Sequence, residues 1–370
     1  MEFTVDTSKF AEALEQIQGA VDKKNTIPIL SHCLIGAEPQ GLRLAATDLE
    51  LGMRLSCPAQ VKEAGSAAIP AHRLLDIVKS LPDGAVRVHA LENQRIQVNS
   101  GRSTFKLAAM SKDNFPAMPE APQPLAALAA GVLAGLIERT AFAMSNEESR
   151  YTLNSVLLVL KDGSAEMVAT DGSRLPLAAR DVEANGFENE ERLLIPKRAV
   201  ASLRRLANAQ EPETPIRIAK DDRHLFFTAG DALLTTRMIT GQFPNYEAVL
   251  PKSNGIAVTL DAGAFREALE RVSLLASEQR HGVSLALESG RITLSATGGD
   301  AGEATESVDA AYSGEPLQVG FNYLFLLDFL SAVKTGEVEI ALKDDTSAAE
   351  FRPADPAPYQ YRCVIMPMRS

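Results

Sequence analysis

The sequence predicts an α+β fold made of three tandem copies of one unit, each with two helices packed against mostly antiparallel strands. Two observations predict it: three stretches of the chain align with one another, and the same order of helical and strand patterns recurs in each. Size agrees, because 370 residues with 45% hydrophobic content suffice for two to four domains that each bury a core. The expected order of elements in a unit is close to β-α-β-β-β-α-β-β.

An amphipathic helix opens each copy, because apolar residues recur there every three or four positions. An apolar residue followed by glutamate repeats within this pattern, at Leu14-Glu15, Ile137-Glu138 and Leu269-Glu270. We therefore expect the first helices over residues 8–24, 131–144 and 262–276.

Strand-rich sequence follows each first helix and contains a small turn, Ala-Thr-Asp at 46–48 and 169–171 and Ala-Thr-Gly at 296–298. A second helix is then expected after the pairs Ile69-Pro70, Ile195-Pro196 and Val319-Gly320, since proline suits the first turn of a helix. These helices are predicted over residues 71–80, 196–208 and 320–334.

A hairpin is predicted to close each copy, over residues 86–110, 216–238 and 338–365. Proline-rich joints follow the first two copies, at residues 115–124 and 243–251, where no regular element continues. The expected domains are residues 1–123, 124–252 and 253–370.

The predicted helices differ in net charge from the chain as a whole. The whole chain carries a formal charge of -11, which disfavours a protein that coats a polyanion with its entire surface. The six predicted helices nevertheless sum to +5, and the helix at 196–208 contributes Lys197, Arg198, Arg204 and Arg205 without an acid. If the helices line a concave side, that side can contact duplex phosphates without reading sequence. The alternative is an ordinary solvated helix face.

The sequence offers no catalytic motif. It lacks a Gly-Lys dipeptide and therefore a phosphate-binding P-loop, and it lacks the HExxH and GxSxG patterns of zinc and serine hydrolases. Its five histidines have no metal-ligand spacing. The doublets Asp221-Asp222 and Asp344-Asp345 occupy equivalent positions in two copies, which favours turn formation over a metal site. We expect no catalytic residue, metal or cofactor.

Cysteine usage and hydropathy bear on the compartment. Cys33, Cys57 and Cys363 are odd in number and widely spaced, which favours buried thiols in a reducing cytoplasm. The N-terminus lacks the apolar core of a signal peptide, and the longest apolar run, Leu125 to Ile137, is too short to span a membrane. A soluble, cytoplasmic protein is expected.

Eight segments together resemble one family. They are FTVDTSKFAEAL near the N-terminus, ATDLE at 46–50, SGRSTFKL at 100–107, RYTLN at 150–154, VATDGSRL at 168–175, GQFPNYEAVLPK at 241–252, VGFN at 319–322 and VIMPMR at 364–369. In these segments the chain is similar to the bacterial sliding clamp, the beta subunit of the replicative DNA polymerase III. The resemblance extends over the whole chain.

The resemblance implies three similar domains per chain and a head-to-tail homodimer, a six-domain ring that encloses duplex DNA with its helices inside. It implies tethering of the replicative polymerase catalytic subunit, and of other polymerases and repair factors that carry clamp-binding peptides. It also implies that a separate ATP-driven loader opens the ring. A clamp of this kind has no catalytic activity. The alternative is a monomeric peptide-binding scaffold that never encircles DNA.

Three sets of site residues follow from the charge pattern and the resemblance. The expected DNA-binding residues are Lys24, Arg73, Lys79, Lys197, Arg198, Arg204, Arg205 and Lys334. The expected partner-peptide pocket comprises Arg150, Leu153, Thr170, Gly172, Ser173, Arg174, Leu175, Pro244, Val249, Asn322, Phe325, Val364, Met366, Pro367, Met368 and Arg369. The expected dimer interface contains Phe105, Leu274 and Leu275, for which the alternative is a place in the core of their own domain.

The chain departs from the family pattern at four positions that bear on peptide preference. Ser173 replaces a common histidine, Ala248 an arginine, Arg280 an aromatic residue and Phe325 a tyrosine. Loss of the tyrosine hydroxyl at Phe325 predicts a pocket that depends more on apolar contact.

Overall fold

The computed structural model describes residues 1–21, 27–183, 190–251, 255–299, 302–355 and 358–368. Strands are numbered β1 to β25 and helices α1 to α6 in chain order. The described residues form six α-helices: α1 (Thr7–Ile17), α2 (Ala71–Ser80), α3 (Ala130–Thr140), α4 (Lys197–Asn208), α5 (Ala262–Ser273) and α6 (Tyr323–Val333). All six predicted helices are confirmed, and α2 has the predicted bounds.

Side-chain caps fix where three of these helices begin. The carboxylate of Asp6 accepts hydrogen bonds from the backbone amides of Ser8 and Lys9, at 3.1 and 3.2 Å, and thereby starts α1. Asp261 accepts from the amide of Ala264 at 2.7 Å and starts α5 in the same way. In the third case, the side-chain oxygen of Asn322 accepts from the amide of Leu324 at 3.0 Å and starts α6. The repeated helix start therefore has a repeated physical cause.

The chain divides into two compact units. Unit 1 contains Met1–Ala134 and Arg198–Met238, and unit 2 contains Gly135–Lys197 and Ile239–Ser370. The residues predicted as the second domain are therefore shared between the units. The boundary predicted at residue 123 lies between strands, and the boundary predicted at 253 lies outside the described residues.

Unit 1 contains two antiparallel sheets. The first has five strands in the order β5 (Gln60–Glu63), β1 (Glu2–Asp6), β7 (Ala85–Leu91), β8 (Arg95–Ser100) and β9 (Ser103–Ala108). The second has eight, in the order β10 (Ala126–Ala129), β15 (Pro215–Lys220), β16 (His224–Ala229), β17 (Ala232–Arg237), β4 (Leu51–Cys57), β3 (Gly41–Thr47), β2 (His32–Glu38) and β6 (Gly65–Pro70). Helix α1 packs against α2, β3 and β4, and buries Phe10, Leu14 and Ile17.

Unit 2 repeats this plan. Its eight-stranded sheet has the order β14 (Glu191–Pro196), β11 (Ser155–Lys161), β12 (Ser164–Val168), β13 (Arg174–Asp181), β25 (Gln360–Ile365), β24 (Ala349–Pro353), β23 (Glu337–Leu342) and β18 (Ile256–Asp261). Its four-stranded sheet has the order β21 (Glu303–Asp309), β20 (Arg291–Thr297), β19 (Gly282–Glu288) and β22 (Leu317–Asn322). Helix α5 packs against α6, β20 and β21, and buries Phe265, Leu269 and Val272.

In each eight-stranded sheet, the last strand of one repeat pairs with a strand of the preceding repeat. In unit 1, β17 pairs with β4, and Thr235 lies opposite Gly52. In unit 2, β25 pairs with β13, and Val364 lies opposite Leu175. These two strand pairs are equivalent positions of the internal repeat, so whatever lies beside them can be compared directly.

The predicted order within a repeat was too short. Each repeat has a further strand before its second helix (β6, β14 and β22), and three strands rather than a hairpin close it. The second closing turn contains glycine at Gly101 and Gly230, with φ of +54° and +55°. The first repeat also contains the additional edge strand β5.

The two aspartate doublets lie in hairpin turns, as predicted. Asp221 accepts backbone hydrogen bonds from Arg223 and His224 between β15 and β16, both at 2.7 Å. Asp344 accepts from the amides of Thr346 and Ser347 between β23 and β24, at 2.9 and 2.6 Å.

No cluster of three or more metal-ligating side chains occurs among the described residues. The three cysteines are free and buried. No helix in the described part of the chain is long and apolar enough to cross a membrane.

Candidate functional site

The candidate partner pocket is an apolar cavity of about 170 Å³ in unit 2, beside the β13–β25 strand pair. Ten of the residues predicted for the pocket line it, namely Leu153, Thr170, Gly172, Ser173, Arg174, Leu175, Pro244, Val249, Val364 and Met366. Two of them offer apolar surface to solvent, since Val249 is 50% and Met366 44% exposed. The cavity can therefore accept apolar side chains from outside.

A tight turn at residues 169–174 shapes one wall. The hydroxyl of Thr170 donates to the carbonyl of Arg174 at 2.7 Å and accepts from the amide of Gly172 at 3.0 Å. The carboxylate of Asp171 accepts from the amides of Ser173 and Arg174, at 2.9 and 3.1 Å. Gly172 has a φ of +97°, a conformation that favours glycine. The turn is thus held without any ligand.

The guanidinium of Arg174 lies beneath this wall, and its side chain is only 9% exposed. It forms ion pairs with Asp171 at 3.0 Å and Asp328 at 2.6 Å, and it donates to the carbonyl of Phe142 at 2.8 Å. It also lies 4.2 Å from the centre of the Phe325 ring. Because these contacts engage it from several sides, Arg174 fixes the turn to helix α6.

Tyr246 is a lining residue that the sequence analysis missed. Its ring is buried in the apolar cluster beneath the cavity, and its hydroxyl donates to the carboxylate of Glu166. Burial, together with the neighbouring Glu166 carboxylate, raises the pKa of Tyr246 above its ordinary value. The segment GQFPNYEAVLPK contained the residue, but its partner lies 80 positions away, so no local pattern identified it.

The other residues predicted for the pocket lie outside the cavity lining. Arg150 is exposed and pairs with Glu147 at 2.9 Å. Asn322 caps helix α6 by accepting from the amide of Leu324, and Phe325 packs against Arg174. The amide of Met368 donates to the carbonyl of Gly320 at 2.8 Å. Pro367 is partly buried, and Arg369 lies outside the described residues.

Of the residues predicted to bind DNA, those that the structure describes lie on or directly after three helices, α2, α4 and α6. In unit 1, Arg73 is exposed on α2, and Lys79 pairs with Glu15 of α1 at 2.5 Å. In unit 2, Lys334 follows α6 and pairs with Glu138 at 2.8 Å. Lys24 lies outside the described residues. Glutamates of the repeated apolar-Glu step therefore hold two of the candidate cations.

Helix α4 carries the remaining candidates. Lys197 donates to the side-chain oxygen of Asn146 at 2.5 Å, and Arg198 pairs with the buried carboxylate of Asp48 at 2.5 Å. Arg204 is exposed. Arg205 donates to the hydroxyl of Ser202 at 3.0 Å, and burial, with the neighbouring Arg204, lowers its pKa from the ordinary arginine value. Of the four, Arg204 is the most available to a phosphate.

Of the residues predicted for the dimer interface, one lies in an edge strand and two follow a helix that packs against an edge strand. Phe105 is part of β9, an edge strand of the five-stranded sheet of unit 1. Leu274 and Leu275 directly follow α5, which packs against β21, an edge strand of the four-stranded sheet of unit 2. Leu274 is 81% exposed, so it does not belong to the core of its own unit. Its exposure is what an interface residue requires.

Comparison with known proteins identifies the family of the chain. The chain matches the DNA polymerase III beta subunit family in three stretches, the N-terminal domain at residues 1–119, the central domain at 127–245 and the C-terminal domain at 247–369. Among curated proteins it is 34% identical to the beta sliding clamps of Pseudomonas putida and Caulobacter vibrioides, with all of each chain covered.

Solved structures give the same result. The sliding clamp of Pseudomonas aeruginosa bound to griselimycin is 34% identical, with all of both chains covered and a TM-score of 0.90. The beta subunit of Thermotoga maritima is 27% identical, with 100% of this chain and 99% of that chain covered and a TM-score of 0.91. The chain therefore belongs to the family of the bacterial beta sliding clamp, the beta subunit of DNA polymerase III, and it is a DNA sliding clamp rather than an enzyme.

Proposed function

We propose that two copies of this chain close head to tail into a ring around duplex DNA, and that the pocket of unit 2 tethers the replicative polymerase through a short peptide. An ATP-driven loader opens the ring, and other polymerases and repair factors use the same pocket. The protein acts in the cytoplasm. The observation that carries the proposal is the apolar cavity at the β13–β25 strand pair, since ten residues of the predicted peptide pocket line it.

Two sheet edges support closure between copies. Strands β9 and β21 each have only one neighbouring strand among the described residues. Lys106 is exposed on β9, whereas Glu303 and Asp309 are exposed on β21. Pairing β9 of one copy with β21 of another would satisfy both backbone edges and bring opposite charges together. Two such contacts close a two-chain ring.

The candidate DNA surface supports sliding rather than tight binding. Those of its cations that the structure describes are exposed or held by neighbouring polar groups. Contacts between exposed charges and phosphates are weakened by salt and carry no sequence information. A topological link would then provide retention while these contacts centre the duplex.

The pocket suits short peptides of varied sequence. Val249 and Met366 are exposed at the cavity, and methionine adapts to differently shaped partners. Arg174 is already paired with two carboxylates, so its contribution is to hold the turn rather than to attract an acidic peptide. Affinity should therefore depend mainly on apolar side chains of the peptide.

The ring is tested by loading the protein onto nicked circular DNA with a clamp loader and then linearising the DNA. A topologically linked protein leaves through the free ends, whereas an adhering protein remains. Retention after linearisation would contradict the ring and favour the monomeric scaffold.

The interface is tested by Leu274→Asp, with Leu49→Asp as the matched control, because both leucines are exposed and lie in different units. We expect Leu274→Asp to give single chains in sedimentation at micromolar concentration, whereas the control remains dimeric.

The DNA surface is tested by Arg73→Glu with Arg204→Glu, and Arg217→Glu on β15 serves as the control for charge alone. Loaded clamps should diffuse faster along DNA at low salt only for the Arg73→Glu/Arg204→Glu variant, because its phosphate contacts are weakened while the topological link is kept.

A further inference from the structure

The turn beside the partner pocket occurs in all three repeats, and the first copy differs from the other two. Two residues after Thr47, Thr170 and Thr297 stand Leu49, Gly172 and Gly299, with φ of +76°, +97° and +65°. Glycine adopts this conformation at little cost, whereas leucine is strained in it. Leu49 is nonetheless 54% exposed. Strain of this kind concentrates at functional sites.

A cavity of about 390 Å³ lies beside this turn, entirely within unit 1. It adjoins the β4–β17 strand pair, which is the repeat-related counterpart of the β13–β25 pair at the partner pocket. Its lining residues include Leu49, Leu51, Met118 and Thr235. The volume lies within the range of small-ligand sites and exceeds that of the partner pocket.

The cavity lining contains a buried hydroxyl without a partner. Thr235 is 3% exposed, and its hydroxyl forms no hydrogen bond within the described residues. The neighbouring hydroxyls are satisfied, since that of Thr47 donates to the carbonyl of Leu51 at 3.0 Å and that of Thr236 to the carbonyl of Arg237 at 3.4 Å. A buried polar group left unpaired is costly, so this hydroxyl is a hydrogen-bond donor available to an acceptor that enters the cavity.

Met118 is a movable wall of the cavity. A Cβ atom on Gly52, which lies opposite Thr235, would come within 2.5 Å of the terminal methyl carbon of Met118. The segment that carries Met118 is held in place by Arg54, which donates to the carbonyl of Pro119 at 2.8 Å. A methionine side chain can change rotamer while its backbone stays anchored. Movement of the Met118 side chain would expose Gly52 and Thr235 to the cavity without breaking the strand pairing.

The charged groups around the cavity are paired with one another. Glu50 pairs with Arg237 at 2.8 Å. Arg54 pairs with Glu120 at 2.6 Å, and the buried Asp48 pairs with Arg198. A charged ligand would have to displace one of these partners, whereas an uncharged apolar ligand would not. The electrostatics therefore favour a neutral occupant.

We propose that this cavity is a second docking site, which takes a short uncharged apolar segment of a partner protein. A backbone carbonyl of the segment accepts the hydrogen bond of Thr235, and an apolar side chain packs between Leu49 and Met118. The site is separate from the partner pocket of unit 2 and does not depend on DNA binding.

The two cavities provide their own reporters, because Met118 lines one and Met366 lines the other. The full-length protein is labelled with ¹³C in its methionine methyl groups and titrated with the uncharged tripeptide acetyl-Leu-Leu-Phe-amide. We expect saturable shifts of both methyl resonances. Thr235→Val should weaken the tripeptide affinity measured at Met118 by about fivefold to tenfold, roughly the effect of one hydrogen bond. The affinity measured at Met366 should stay unchanged.

Thr236→Val is the matched control, because it removes a satisfied hydroxyl from the next position of the same strand. It should leave the tripeptide affinity at Met118 unchanged. Thr235→Val should unfold at the same denaturant concentration as the parent or higher, since it removes an unpartnered group, so misfolding would not explain its effect.

A shift of Met366 without a shift of Met118 would overturn the second site and leave the partner pocket intact. Equal responses of Met118 in the parent and in Thr235→Val would overturn the assigned hydrogen bond. If neither methyl group responded up to the solubility of the tripeptide, apolar peptide binding at both cavities would be refuted.

Discussion

Glu15 and Glu138 of the repeated apolar-Glu step are expected to weaken the electrostatic contact between the clamp and DNA. Glu15 holds Lys79 at 2.5 Å and Glu138 holds Lys334 at 2.8 Å, and both lysines belong to the proposed DNA surface. A lysine that contacts phosphate must first leave its carboxylate. Replacing both glutamates by glutamine should therefore strengthen DNA contact and slow the movement of the loaded clamp.

The size of the effect follows from the exposure of the pairs. The lysine side chains are 52% and 62% exposed, so each pair has the modest strength of a surface ion pair, about 0.3 kcal/mol. The four pairs of a two-chain ring then total about 1.2 kcal/mol, or roughly eightfold in affinity. If all four lysines reach phosphate, the slope of log affinity against log salt steepens by up to about 3.6.

The assay is single-molecule tracking of loaded, fluorescently labelled clamps on stretched DNA at several salt concentrations. We expect the Glu15→Gln/Glu138→Gln variant to diffuse several times more slowly than the parent at low salt and equally fast at high salt. Glu270→Gln is the matched control, because Glu270 occupies the same repeat position but forms no ion pair among the described residues.

Two results would refute this reasoning. Equal slowing by Glu270→Gln would mean that net charge, rather than release of a lysine, sets the mobility. Slowing by Glu15→Gln that persists in a Lys79→Gln background would show that the glutamate does not act through that lysine.

Three further predictions concern the pocket and its supporting structure. Arg174→Gln should weaken peptide binding and destabilise the protein by about 3 kcal/mol in denaturant unfolding, since it leaves Asp328 and its neighbours unpaired; equal peptide affinity would contradict its role in holding the turn. Tyr246→Phe removes a buried hydrogen bond and should cost about 1 kcal/mol, while peptide affinity measured by calorimetry stays within twofold because the ring remains. Backbone hydrogen bonds from the following residues lower the pKa of Asp344 below its usual value, so its stabilising effect is present at neutral pH and is lost as pH falls below the ordinary aspartate pKa. Asp344→Ala should accordingly lower the urea midpoint most at pH 7 and progressively less as pH falls below the ordinary aspartate pKa, whereas Asp345→Ala, the control, should show no such pH dependence.

The helices were predictable because their signal is local. The period of apolar residues identified the first helix of each repeat, and the Ile-Pro and Val-Gly pairs identified the second. The Asp6 and Asp261 caps explain why two of the first helices begin where they do. The third closing strand of each repeat was missed because its turn, with Gly101 and Gly230 at positive φ, was included in a single hairpin.

The pocket was only partly predictable, and the missing parts are long-range. Its wall was identified by resemblance, but Arg174 pairs with Asp328, 154 positions away. Tyr246 depends in the same way on distant Glu166. Neither partner has a local pattern, and a single sequence does not report which distant side chains meet. The structure brings ten of the predicted pocket residues together at one cavity, and the roles of all predicted site residues stay predictions.

The pairing of β4 with β17 and of β13 with β25 has a mechanical consequence. Each junction between consecutive repeats is a continuous hydrogen-bonded ladder, four residue pairs long in the first case and six in the second. Hinge motion at a junction would have to tear that ladder, whereas separating two chains along a seam leaves both ladders whole. If a loader opens the ring, the junctions between repeats would stay rigid. The force that the loader applies would then act on the interface between the two chains.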